Sequence, residues 1–252
     1  MGIYNSKEYL NKILSLILYT IRQERGNIMA KDYSVFDVVG PNMIGPSSSH
    51  TAGAARLGKM ALKIAGKPVK SVKFYLHGSF AETYKGHGTD KALVGGILGF
   101  EPDDARIRNS FDIAKENGVD FEFIKTNLGE NEHPNAVRME MTLEDGTVAI
   151  VKGASIGGGN IKLTEMDGLP LDFNGSRPAV ILEIKDIPGA VSFVTGLLAH
   201  NNKNIANMST NKPAGSDYTF VTIETDEALD KDVLEQLRKF EVIAKAVVLD
   251  KF

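Results

Sequence analysis

The chain has 252 residues, enough for one large domain or two small ones. Hydrophobic residues at 42%, charged residues at 24% and a net charge of −3 are ordinary for a globular chain, and give no reason to expect nucleic acid or an acidic membrane surface as partner. There is no cysteine, so a disulfide, a thiol nucleophile or a cysteine-ligated metal centre cannot be built from this chain alone.

Residues 1–28 differ from the rest. Leu10, Ile13, Leu14, Ile17, Leu18 and Ile21 share a helical face, but the apolar run falls short of the roughly 18 residues of a membrane span. No small-residue cleavage site follows it, as a signal peptide would require. Met1–Ser6 formally fits a myristoylation pattern too short to carry weight. Met29 follows Glu24-Arg25-Gly26, codable by a purine-rich ribosome-binding stretch. The expectation is that translation starts at Met29 and that residues 1–28 are a mis-assigned extension.

The richest segment runs from Val35 through Gly40-Pro41 and Gly45-Pro46 to Ser47-Ser48-Ser49-His50-Thr51. An alanine-rich helix is predicted over Ala52–Ala65, with Leu57, Met60, Ala61 and Ile64 on one face, so the polar cluster sits at a helix N-terminus. Unpaired N–H groups and serine hydroxyls there suit a carboxylate or phosphate, and His50 could exchange a proton with it. One serine suffices as a cap, whereas five polar residues in a row exceed that need. The helix's small residues predict close packing against neighbouring backbone.

A strand over Val69–Leu76 is predicted to feed a polar, glycine-rich loop from His77 to Lys91. A helix over Ala92–Gly99 follows. The loop gathers His77, Glu82, His87 and Asp90, and Gly86 and Gly88 let backbone approach a ligand beside His87. Thr89 and Asp90 could instead cap the next helix. His133 and His200 read as surface or capping residues. Val137–Leu143 and Val148–Lys152 predict a hairpin through Glu144-Asp145-Gly146. Gly157-Gly158-Gly159 is either a turn or a small-ligand loop, and it does not fit a dinucleotide motif.

Periodicity is expected to stop across Leu163–Pro178, giving domains at 29–170 and 178–252. The C-terminal segment reads strand Ala179–Ile184, helix through Val191–Leu198, strands Ile205–Thr210 and Tyr218–Thr225, helix Asp230–Phe240 and strand Val242–Leu249. This β-α-β-β-α-β order, with the Asp186-Ile187-Pro188-Gly189 turn, resembles an ACT domain. The resemblance implies amino-acid binding or subunit contacts, with Gly189, Ala190 and Asn207 as the effector-side positions.

Taken together, Gly45-Pro46-Ser47-Ser48-Ser49-His50-Thr51-Ala52-Gly53, His77-Gly78-Ser79-Phe80-Ala81, Gly86-His87-Gly88-Thr89-Asp90 and the terminal module resemble the beta chain of bacterial iron–sulfur-dependent L-serine dehydratases. The fold class implied is α+β: a domain similar to the allosteric substrate-binding domain of some serine-pathway enzymes, then a ferredoxin-like ACT domain. The resemblance implies a cytoplasmic lyase of amino-acid catabolism, converting L-serine to pyruvate and ammonia. It implies a [4Fe–4S] cluster on cysteines of a partner alpha chain, and self-association through the ACT domain. His50, then His87, are the implied proton-transfer groups and Asp90 an orienting carboxylate. Ser47, Ser48, Ser49, Thr51 and Thr89 are the implied substrate-binding hydroxyls. The alternative is a non-catalytic serine sensor or assembly subunit.

Overall fold

The serine cluster enters the fold as one π-helical turn, Ser48–Ala52, continuous with helix α1, Gly53–Ala65. Ser47 is extended and its hydroxyl accepts the His50 N–H, which is the expected cap at the expected place. The computed structural model describes residues 42–251. The expectations for residues 1–28, for Met29 and for Val35–Asp37 lie outside the described residues.

The first layer is a six-stranded sheet. Its strands are β1 (Val69–Leu76), β2 (Asp120–Lys125), β3 (Ala136–Leu143), β4 (Val148–Gly157), β5 (Asn160–Met166) and β6 (Leu169–Phe173), in the order β2-β1-β3-β4-β5-β6. β1 and β2 are parallel and the other pairs antiparallel. A parallel pair needs a long crossover. It is supplied by α2 (Gly78–His87), α3 (Thr89–Ile97) and α4 (Ser110–Glu116).

Two expectations are corrected here, and one left open is narrowed. The span from His77 to Lys91 is not a loop: it is α2 and the start of α3, separated by Gly88 alone. Gly88 has φ +70°, in the left-handed region, so the chain reverses without a side-chain clash. Periodicity does not stop at Leu163: β5 and β6 pair with each other and extend the first sheet to Phe173. Gly157–Gly159 resolves as the turn between β4 and β5, with the Gly159 carbonyl accepting from Arg56 at 2.7 Å.

The small-residue face of α1 packs as expected. A Cβ on Gly96 of α3 would lie 2.2 Å from the Ala55 carbonyl oxygen, so the two helix backbones touch.

The C-terminal segment forms β7 (Ala179–Lys185), α5 (Ala190–His200), β8 (Ile205–Asn211), β9 (Tyr218–Thr225), α6 (Lys231–Arg238) and β10 (Ile243–Leu249). The antiparallel sheet runs β10-β7-β9-β8. This βαββαβ topology is the one expected. Its two faces serve different cores, because strand side chains alternate. Val180, Leu182 and Ile184 pack under α5 and α6 with Val221 and Ile223. Ala179, Ile181, Val247 and Leu249 join the core of the first layer, with Leu57 and Ile64 of α1.

Candidate functional site

Two histidines meet where the serine turn crosses α2. The rings of His50 and His87 are edge-on, with centroids 4.8 Å apart. His50 comes from the turn before α1, and His87 is the last residue of α2. Phe80, on the first turn of α2, packs edge-on against His50 at 5.2 Å.

Hydroxyls hold the His50 ring at both nitrogens. Nδ1 lies 3.0 Å from Ser49 Oγ, and Nε2 lies 3.1 Å from Ser79 Oγ. Ser47 Oγ is 3.3 Å from Ser49 Oγ, which extends the chain of hydroxyls. Thr51 donates its hydroxyl to the His87 carbonyl at 3.2 Å, tying the turn to the end of α2. Burial, and then the neighbouring His87, lower the pKa of His50 below its ordinary value. Both effects favour the neutral imidazole. His87 Nδ1 is buried without a hydrogen-bond partner.

A cavity of about 340 Å³ opens beside this pair, walled by Gly45, Thr51, His87 and Asp90. Lys85, Lys91 and Arg108 also line it, so its charge favours an anion. Burial raises the Asp90 pKa above its ordinary value, and Asp90 Oδ1 accepts the Lys91 N–H at 2.8 Å.

The structure thus separates the expected residues. Thr51, His87 and Asp90 reach the cavity, while His50 stands behind His87, about one-tenth exposed. Ser47 and Ser49 hold His50, and Ser48 contributes its carbonyl to the Gly53 N–H. Thr89 is fully buried; its hydroxyl has no partner and does not cap α3. Asp90 Oδ1 accepts the Lys91 N–H of its own helix. His133 and His200 sit at a local turn and a helix end, as expected.

The effector-side positions in the C-terminal unit lie apart from one another in kind. Gly189 turns the chain at φ +90° ahead of α5. Ala190 is buried in the second core, and its N–H is used by the Ile187 carbonyl at 3.2 Å. Asn207 is exposed on β8 and donates to Glu224 at 3.3 Å. A larger cavity, about 690 Å³, lies between the C-terminal end of α1 and α6 with β10, and none of the expected site residues lines it.

Ser79, Lys85 and Arg108 were not singled out from sequence. Ser79 lay within the quoted His77–Lys91 run, but only folding that run into a helix turns its hydroxyl onto His50.

No helix among the described residues is long and apolar enough to cross a membrane. Among them, no group of three or more His, Asp or Glu side chains is arranged to hold a metal ion. With no cysteine in the chain, the residues present do not fit an iron–sulfur cluster.

Residues 34–166 match the serine dehydratase beta chain family. The chain is 46% identical to an L-serine dehydratase beta chain of Peptoniphilus asaccharolyticus, over 80% of this chain and 91% of that one. It is 41% identical to a probable L-serine dehydratase beta chain of Bacillus subtilis, over 82% and 93%. A D-3-phosphoglycerate dehydrogenase of Bacillus subtilis is similar at 23% identity over 78% of this chain and 37% of that one. With its match across more than half of its length and its identity to whole beta chains, the chain belongs to the serine dehydratase beta chain family.

Proposed function

We propose that this chain is the cytoplasmic beta subunit of an L-serine ammonia-lyase, and that it binds the substrate and moves a proton in the cavity beside His87. The observation that carries this reading is the edge-on pairing of two imidazoles at the wall of a cationic cavity. The names of the beta-chain relatives supply the substrate.

The reaction removes the α-proton and the β-hydroxyl of L-serine as water. The resulting 2-aminoacrylate tautomerises to an imine, and water converts this to pyruvate and ammonia. Lys85, Lys91 and Arg108 would draw the substrate carboxylate into the cavity, and the Thr51 hydroxyl would border it. Two adjacent imidazolium ions disfavour each other, so positive charge on both rings at once is unfavourable. His87 faces the cavity and exchanges a proton with the substrate, and His50 sits behind it as the neutral partner. This chain supplies no cluster ligand, and no step here runs through a cluster. The [4Fe–4S] centre belongs, in this proposal, to a cysteine-bearing alpha chain.

The test is anaerobic reconstitution with such an alpha chain. The wild-type pair should deaminate L-serine and this chain alone should not. His87→Ala should lower turnover by about 10²-fold or more, as loss of a general acid–base group does. Near-normal turnover of that variant, with L-serine still bound by this chain, would instead support a serine-sensing subunit.

A further inference from the structure

We infer that Ser79 is a positioning residue, whose hydroxyl pins the His50 imidazole to α2 in one orientation. This rests on the proton-transfer reading of the histidine pair. The Ser79 hydroxyl lies 3.1 Å from Nε2 and is the link from His50 to α2 through a hydrogen bond, 29 residues away in sequence. At the opposite nitrogen, Ser49 and Ser47 form a run of hydroxyls within the turn itself, at 3.0 and 3.3 Å.

The chemistry of a neutral imidazole makes that pairing specific. One ring nitrogen donates and the other accepts. A hydroxyl can serve either role, but two hydroxyls on one ring must take opposite roles at the ring. Phe80 and His87 also pack edge-on against the His50 ring, at 5.2 and 4.8 Å between centroids. With Ser79 removed, Nε2 would be buried with no protein partner, and the ring would be held at Nδ1 alone. Rotation about that single tether changes the edge that His50 presents to His87.

α2 also explains why the serine sits there. Ser79 and Phe80 open the helix and His87 ends it, so one rigid element fixes His50 and carries its partner. The Ser79 carbonyl accepts the Thr83 hydroxyl at 2.7 Å, which leaves the Ser79 side chain for His50.

The experiment combines kinetics of the reconstituted complex with 15N spectra of histidine-labelled full chain. Ser79→Ala should leave KM for L-serine unchanged and lower kcat by about ten- to hundredfold, as loss of alignment does. The His50 nitrogen signals should change as Nε2 loses its partner. Ser79→Thr keeps the hydroxyl and should restore both readouts. Wild-type kcat in Ser79→Ala overturns the inference, as does a lowered kcat with unaltered His50 nitrogens. Changed His50 nitrogens in a folded Ser79→Thr chain overturn it too. If His87→Ala alone keeps full turnover, the proton-transfer reading fails, and the nitrogen spectra still decide whether Ser79 pins the ring.

Discussion

The two halves of the described chain differ in how completely they satisfy their buried polar groups. In the C-terminal unit the buried hydroxyls are satisfied: Thr219 donates to Asp186 at 3.0 Å and Thr225 to the Glu227 carbonyl at 2.7 Å. Its ion pairs, such as Lys203–Asp230 and Arg177–Asp226, have at least one partner well exposed. In the first layer, His87 Nδ1, Thr89 Oγ and Ser155 Oγ are buried with no partner among the described residues. Buried unsatisfied groups are uncommon because each carries a desolvation cost. Two of these three lie at the histidine pair: His87, one of its members, ends α2, and Thr89 opens α3. The C-terminal unit is therefore built for stability, and the first layer tolerates local cost where the chemistry is proposed to lie.

The largest effect on stability should come where the halves join. Leu249→Ala empties a fully buried position in the core shared with α1, and should cost about 2–5 kcal/mol in chemical denaturation. A loss below about 1 kcal/mol would show that the shared core is loosely packed.

A pair of hydroxyl deletions sharpens the contrast itself. Thr225→Val breaks a satisfied buried bond and leaves the Glu227 carbonyl without it, a loss of about 1–2 kcal/mol. Ser155→Ala removes a hydroxyl that bonds nothing, so stability should hold steady or rise by up to about 1 kcal/mol. Equal losses from both substitutions would erase the distinction between the halves.

The smallest effect depends on pH. Burial raises the Asp90 pKa, so the folded chain holds that proton more readily than the unfolded chain. The stability tied to this group is full at low pH. It is lost as pH rises from the ordinary carboxylate value through the raised one. Asp90→Asn keeps an oxygen for the Lys91 N–H and cannot ionise. Melting temperatures of variant and wild type should agree at low pH, with the variant higher above that window.

How much of this was readable beforehand differs by element. The C-terminal order was legible because its strands and helices have clean two- and 3.6-residue periods between turn residues. α1 was legible from its cap and its apolar stripe. α2 was not: only Phe80 and Ala81 are buried in it, and its glycines and charges read as loop. Such a helix is held by what it packs against rather than by its own pattern. The β5–β6 hairpin carried a local signal that the expected boundary overrode. Asp167-Gly168 lies between Met166 and Leu169, with φ of +51° and +83°, the two-residue turn that joins strands. At the site, the serine turn and both histidines were visible in sequence. Their division into a ring facing the cavity and a ring behind it was not, because it depends on the crossing of α2 over the turn. Lys85 and Arg108 come together at the cavity from separate elements, which no local pattern encodes.

The alternating faces of β7 and β10 bear on how the chain can be divided. The linker before Pro178 marks a seam in sequence, yet Ala179, Ile181, Val247 and Leu249 form the floor beneath α1. A fragment that stopped before Pro178 would lay bare an apolar stripe along the helix whose other end holds His50 in place. A C-terminal module transplanted from a relative would need these four inward side chains to match as closely as those under its own helices. Grafts that respect only the linker should yield sticky, poorly folded chains.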